Sequence, residues 1–127
     1  MSVTARSGSS SNGRLLQRLA VLHTLVGAAF FRRELGDIGR EGVVGAVPYR
    51  GAEATAFWFL VPSPLLWILG RLLERAERTG DAAALRSASR GGLISALLAI
   101  LCLPVSGFWV WLAISLRGLR DARRMES

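Results

Sequence analysis

The sequence predicts an all-α membrane protein, a helical bundle of four transmembrane helices. Hydrophobic residues make up 51% of the chain and its mean hydropathy is +0.38, although it carries 16 basic and 9 acidic residues. These charges cluster in four places separated by apolar runs. All the basic residues are arginines, and they flank the apolar runs. Apolar helices flanked by cations are typical of a protein that crosses a membrane several times.

The composition argues against several other classes of protein. A net charge of +7 and a pI near 11.5 are compatible with nucleic-acid binding. However, the arginines form no continuous basic face, and no zinc-finger, RNP or helix-turn-helix motif is present, so we expect no nucleic-acid partner. With one His and one Cys in the chain, we expect no metal site and no cofactor.

The chain begins with a tail and a first span. Residues 1–13 are rich in Ser and Gly and are predicted to be a disordered cytoplasmic tail, followed by one transmembrane domain over residues 14–124. The first span is predicted at residues 15–31. A cleaved signal peptide is the alternative, but Phe-Phe-Arg-Arg after Ala29 is a poor cleavage context and further apolar segments follow, which favours a retained span.

The next segment, residues 32–53, is predicted to be an extracytoplasmic loop. Apolar residues recur among its charges from Leu35 to Val47 at partly helical spacing, which is compatible with a short amphipathic helix at the membrane interface. The many glycines in this stretch argue against that helix.

The second span is predicted at residues 54–73 and contains Pro62-Ser63-Pro64. Two prolines remove backbone donors, so we expect a kink, tolerated where Ser side chains or neighbouring helices satisfy the freed carbonyls. Gly80 is a natural helix stop and Asp81 a natural N-cap for the next helix.

The end of the chain has two interpretations. In one, spans at residues 84–103 and 108–120 are joined by a turn at Pro104-Val105-Ser106-Gly107. In the other, residues 93–116 form one span kinked at Pro104, giving three spans in all. Four spans place twelve arginines inside and four outside, whereas three spans divide them equally, so the positive-inside rule favours four. The protein is then a multi-pass protein of the inner (plasma) membrane, with both termini on the cytoplasmic side.

Two helices carry stripes of small residues, which let membrane helices approach closely. We expect both stripes to face the bundle interior. The first stripe is Ala20, His23, Thr24, Gly27 and Ala28, and the second is Ser89, Gly92, Ala96, Ala99 and Cys102.

Several short motifs together resemble a known family. They are His23-Thr24-Leu25-Val26-Gly27, Glu41-Gly42, Ala56-Phe57-Trp58-Phe59, Glu77-Arg78-Thr79-Gly80 and Leu103-Pro104-Val105-Ser106-Gly107-Phe108-Trp109. The chain resembles, over roughly residues 14 to 120, a family of small uncharacterised four-span bacterial (actinobacterial) membrane proteins of unknown function. The resemblance implies four spans and supplies no activity. The sequence departs from the family pattern at Pro62-Ser63-Pro64, where leucines are expected.

His23 is the foremost candidate site residue, because ionisable groups inside a membrane are costly and usually functional. A neutral His that links two helices by a hydrogen bond is the structural alternative. Glu41 is more typical of a solvated loop charge, and Ser106 of a turn. Trp58 and Trp109 are more typical of interface anchors. The candidate ligand site is His23, Thr24, Glu41, Trp58, Ser106 and Trp109.

Three functions fit these residues. The first is a non-catalytic bundle that binds a lipid-like ligand or a membrane-protein partner, including a second copy of itself. The second is an enzyme acting on a lipid or isoprenoid with His23 as acid or base, which needs a second polar group within reach. The third, an oligomeric small transporter, ranks last because the spans contain no carboxylate.

Overall fold

The computed structural model describes residues 10–127, and all the regular secondary structure in this part of the chain is helical. The predicted all-α class is therefore confirmed. The helices are α1 Asn12–Phe30, α2 Arg32–Arg40, α3 Ala52–Leu60, α4 Pro62–Thr79, α5 Ala82–Cys102 and α6 Phe108–Glu126.

Helices α1 and α4 form an antiparallel pair held together by close backbone approach. A Cβ added to Gly13 would lie 2.5 Å from the Gly70 carbonyl oxygen, and one added to Gly70 would lie 2.8 Å from that of Gly13. At the other end of α1, a Cβ on Gly27 would lie 2.5 Å from the Leu60 side chain, which belongs to α3. The glycines therefore set the distance between these helices.

Helices α5 and α6 form a second antiparallel pair with a reciprocal contact. A Cβ on Gly92 of α5 would lie 2.6 Å from Ser115 Oγ of α6, while a Cβ on Gly118 of α6 would collide with Ser89 Oγ of α5. The chain reverses direction between Cys102 and Phe108, as the Pro-Val-Ser-Gly motif predicts. One continuous span through residues 93–116 therefore does not occur in this structure.

The two pairs meet at the end of the molecule that holds the start of α1 and the end of α6. A cluster of buried apolar side chains joins all four long helices there; its members are Leu16, Leu73, Ala76, Leu85, Ile114 and Ala122. Beside it lies Asn12, which is 1% exposed. Its Nδ2 donates to Glu77 Oε1 at 2.7 Å and to Asp121 Oδ2 at 2.8 Å. This polar bridge connects α1, α4 and α6.

Glu77 also stabilises the first turn of α1. The backbone N–H groups of Asn12 and Gly13 donate to its two carboxylate oxygens at 2.7 and 3.1 Å. A carboxylate is favoured there because the first N–H groups of a helix lack partners and the helix dipole is positive at this end.

Apart from that cluster, the buried residues are mostly small, and many large apolar residues lie outside. The buried set includes Ala20, Ala54, Ala56, Ala96 and Ala122, whereas Leu22, Leu25, Leu65, Ile94 and Leu101 are between 58% and 80% exposed. A water-soluble monomer rarely leaves so much apolar surface uncovered. Small buried residues are what close packing of helices in lipid requires.

Two helical segments are long and apolar enough to cross a membrane: Ala52–Thr79, which joins α3 and α4, and Ala82–Cys102. A third qualifies if α1 and α2, which meet at 76°, are taken together. Two to three such segments are fewer than the four predicted spans. The last helix falls short because arginines occupy its second half.

Some boundaries differ from those predicted. Helix α1 begins at Asn12, so the end of the predicted 1–13 tail is helical and buried, and residues 1–9 lie outside the described part. The predicted loop 32–53 contains α2 and the start of α3. The amphipathic helix considered over residues 35–47 stops at Arg40, because Gly42 and Val43 adopt φ of 94° and 67°.

The helix stop and start at Gly80 and Asp81 are confirmed. Gly80 is left-handed with φ 71°, and the Asp81 side chain accepts from Ala84 N at 2.9 Å.

The two small-residue stripes are only partly buried. Ala20 and Gly27 are buried in the first, and Ser89, Gly92 and Ala96 in the second. Thr24, Ala28 and Cys102 are exposed, so their placement in the interior was wrong. Each of these helices packs closely on one main neighbour, which covers a narrower face than the full stripe.

Candidate functional site

His23 and Ser63 form a polar pair between α1 and α4. The Nδ1 atom of His23 lies 2.9 Å from the Oγ atom of Ser63, within hydrogen-bond distance. Ser63 is 5% exposed, so its hydroxyl has little access to solvent, and His23 is half-buried. A hydrogen bond is expected for such a buried hydroxyl, since leaving it unpaired costs free energy.

Two features of the sequence position this pair. Ser63 lies between Pro62 and Pro64, and neither proline has a backbone N–H to donate to the carbonyl four residues earlier. The helix is interrupted at Val61, between the end of α3 and the start of α4. The interruption places Ser63 in the first turn of α4, where it faces His23.

Phe59 fixes the orientation of the imidazole. Its ring lies parallel to that of His23, with centroids 4.3 Å apart and an interplanar angle of 9°. Phe31 packs against the same Phe59 ring at 5.3 Å. Aromatic contacts on one ring face and a hydrogen bond at Nδ1 leave the imidazole few other orientations.

Ser63 also lines an open groove of about 350 Å³ on the surface of the α1–α4 pair. Its walls are Ala20, Val21, Thr24, Leu60, Ser63, Pro64 and Trp67. A second groove, of about 430 Å³, shares Val21 and Trp67 with the first and continues to Arg14 and Arg18. Together they form a largely apolar surface groove with hydroxyls at one end and arginines at the other.

The chemistry of the pair depends on its hydrogen bond. With Nδ1 unprotonated, the Ser63 hydroxyl donates to His23, and the Ser63 oxygen keeps its lone pairs for another donor. The Thr24 hydroxyl, also in the groove, donates to the Ala20 carbonyl at 2.9 Å and keeps acceptor capacity too. In the described residues, no carboxylate hydrogen-bonds to His23, so the pair lacks the third member of a catalytic triad.

Within the described residues, no hydrogen bond or ring contact joins this pair to the predicted site residues other than Thr24. Glu41 is exposed in the loop after α2, and its side chain makes no hydrogen bond or ion pair with the described residues. Trp58 is exposed and contacts Phe57 edge-on. These two residues stay predictions for the ligand site, but they do not form one cluster with His23.

Ser106 and Trp109 stabilise the turn between α5 and α6. Ser106 Oγ accepts from Phe108 N at 3.4 Å, and Trp109 Nε1 donates to the Pro104 carbonyl at 2.8 Å. Both contacts join residues that are close in the chain. They agree with the role in a turn that the sequence indicates for Ser106.

Sequence reasoning did not place Ser63 or Phe59 in the site. The signal for Ser63 was its position between two prolines in an apolar segment, where a polar side chain needs a partner. Phe59 carried no such signal, because aromatic residues are common at helix ends in membranes.

The fold and site define a class: an all-helical protein with at least two segments apolar enough to cross a membrane and a His–Ser pair between two helices. Within residues 10–127, no group of three metal-binding side chains lies together. Residues 8–125 match the model of a family of unknown function, DUF6463, and the chain belongs to that family.

The family match confirms the resemblance to a family of unknown function. Bacterial origin and four spans remain expectations from that resemblance. No curated protein and no solved structure matches this chain.

Proposed function

We propose that this protein is an integral membrane protein of four spans that binds a lipid-like ligand at the groove between α1 and α4, without catalysing a reaction. The observation that carries the ligand site is the buried Ser63 hydroxyl, held by His23 at a largely apolar groove.

The distribution of side-chain size supports the membrane setting. Alanines, glycines and serines fill many of the contacts between helices, and most of the exposed apolar surface comes from large side chains that face outward. Hydrocarbon is the environment in which that outer surface is stable. The arrangement of the helices supports four spans, because α1, α4, α5 and α6 have 18 to 21 residues each and form two antiparallel pairs.

The charges support both termini in the cytoplasm. The start of α1 and the end of α6 lie at the same end of the molecule, joined by the Asn12 bridge. Most of the arginines lie at that end, whereas those of residues 32–53 at the other end are balanced by acidic residues. This is the asymmetry expected for a cytoplasmic face.

The groove fits a ligand with one long apolar part and one small polar group. Val21, Leu25 and Trp67 provide apolar contact, and the Ser63 and Thr24 oxygens provide hydrogen-bond acceptors. Ligand sites commonly combine apolar walls with a few placed polar atoms. A hydroxyl or amide on the ligand would meet Ser63, and a chain would follow the groove toward Arg14.

The test is native mass spectrometry of the protein extracted gently from its own membrane. The wild type is expected to carry a discrete apolar small molecule. Ser63→Ala, which removes only the hydroxyl, and His23→Phe, which keeps a ring to stack on Phe59, are expected to lower its occupancy. Ser115→Ala is the matched control, because that serine is equally buried but lies between α5 and α6.

Two results would contradict the proposal. One is equal ligand occupancy in all four proteins, and the other is a wild type that carries no small molecule. A stable complex with another membrane protein, or with a second copy of this chain, would instead make this bundle an accessory subunit.

The second candidate function is an enzyme acting on a lipid or isoprenoid, and the His23–Ser63 hydrogen bond favours it. A serine within 2.9 Å of an imidazole nitrogen is the arrangement of a nucleophile beside its general base. A fluorophosphonate probe tests it directly. Ser63 Oγ would bond to phosphorus, fluoride would leave, and the serine proton would pass to His23. Labelling of the wild type that is lost in Ser63→Ala would support an enzyme, and no labelling would refute it.

A further inference from the structure

A polar cleft lies between α5 and α6, at the end of the molecule where α6 ends. Its volume is about 310 Å³, and it is lined by Arg86 and Arg90 of α5 and by Leu119, Arg123 and Glu126 of α6. The cleft is on a different helix pair from the His23–Ser63 groove and shares no residue with it.

The cleft carries uncompensated positive charge. Arg86 pairs with Glu126, which neutralises one of its three arginines. Arg90 and Arg123 are exposed, and neither forms a hydrogen bond or ion pair with any described residue. Two guanidinium groups with unused donors are suited to an anion, and to phosphate above all, since a guanidinium binds it with two parallel hydrogen bonds.

The surface next to the cleft is apolar. Counting along α5 from Arg90, Ile94 and Leu97 fall on the same face and are 60% and 51% exposed. On α6, Leu116 lies about two turns from Arg123 on the corresponding face and is 50% exposed. The arginines therefore stand at the edge of an uncovered strip that runs about 10 Å further along the helices.

We infer that this cleft binds the headgroup of an anionic glycerophospholipid, with Arg90 and Arg123 on the phosphate and the acyl chains along Ile94, Leu97 and Leu116. Charge complementarity selects the anion, and the adjoining apolar strip selects a lipid over a soluble phosphate. Basic pockets between helices on the cytoplasmic side are the expected place for such headgroups. The inference rests on the proposed membrane setting but not on the ligand of the His23–Ser63 groove.

The test compares lipid retention by native mass spectrometry of the full chain in nanodiscs of mixed phosphatidylglycerol and phosphatidylcholine. The wild type is expected to retain one phosphatidylglycerol in preference to phosphatidylcholine. The double variant R90Q/R123Q is expected to lose that preference, with affinity lowered about thirtyfold. The matched control is R71Q/R75Q, which removes the same charge from exposed arginines of α4 outside the cleft.

The results distinguish specific binding of phosphatidylglycerol in the cleft from a general attraction of anionic lipid to exposed arginines. Loss of retention in R90Q/R123Q alone supports the cleft. Equal loss in both double variants, or no preference in the wild type, overturns it. Added glycerol 3-phosphate that displaces the lipid completely would show a site for free phosphate and would also overturn it.

Failure of the membrane setting would be visible separately, as protein released from membranes by alkaline carbonate. Thermal melting of both double variants in the same nanodiscs checks that each is folded. The exposure of all four arginines predicts melting temperatures close to that of the wild type.

Discussion

Replacing Asn12 with alanine removes the polar bridge between three helices. The lost amide donates two hydrogen bonds to carboxylates, at 2.7 and 2.8 Å. Hydrogen bonds to charged acceptors contribute about 1.5–3 kcal/mol each, or about 3–6 kcal/mol for the pair. One effect opposes this loss: Asn12 Oδ1 is buried and has no donor among the described residues. Such an oxygen costs about 1–3 kcal/mol, which the substitution relieves.

The net expectation for Asn12→Ala is a loss of about 2–3 kcal/mol from the free energy of unfolding, a thirtyfold or larger change in the equilibrium constant. Equilibrium unfolding in bicelles by steric trapping measures it. Arg14→Ala is the control, because the Arg14 side chain is 63% exposed and Glu74 keeps its contacts with Gln17 and Arg78 when Arg14 is removed, so little stability should be lost. If the Asn12→Ala protein is as stable as the Arg14→Ala protein, the hydrogen bonds of Asn12 do not stabilise the fold as predicted.

Two further substitutions and one control test the helix contacts and the turn. Gly92→Ala is expected to destabilise the protein by about 1–3 kcal/mol, since its Cβ would lie 2.6 Å from Ser115 Oγ. The adjacent Gly91→Ala, with nothing within 4 Å, should be neutral or slightly stabilising in the same unfolding assay. Gly80→Ala is expected to cost about 1 kcal/mol through its left-handed φ of 71° alone, and an unchanged unfolding free energy would contradict that explanation.

Much of the helical framework follows from local sequence. Apolar runs, Gly80-Asp81 and the Pro104–Gly107 motif located the long helices and the two sharp reversals between them, because each depends on residues close in the chain. The start of α1 could not be found in this way. Asn12 and Gly13 look like tail residues, and they become helical and buried through contacts with Glu77 and Asp121, which are 65 and 109 residues away from Asn12.

The candidate site was predictable only in part. His23 stands out as the only titratable group near the middle of a predicted span, but its partner depends on how α4 is placed against α1. The glycines that set this placement, Gly13 and Gly70, have no special signature in the sequence. Glu41 and Ser106 were grouped with His23 as polar members of the motifs that carry the family resemblance, and no contact within the described residues joins either of them to His23.

The central claim is a four-span protein with both termini on the cytoplasmic side, and cysteine accessibility in intact cells tests it most directly. In a Cys102→Ala background, single cysteines are placed at Val44, in the loop between α2 and α3, and at Ser127, at the end of the chain. Val44 is 94% exposed, so a membrane-impermeant maleimide can reach it on the outer face. The account predicts labelling of Val44→Cys in intact cells and of Ser127→Cys only after permeabilisation. Labelling of Ser127→Cys in intact cells would contradict it.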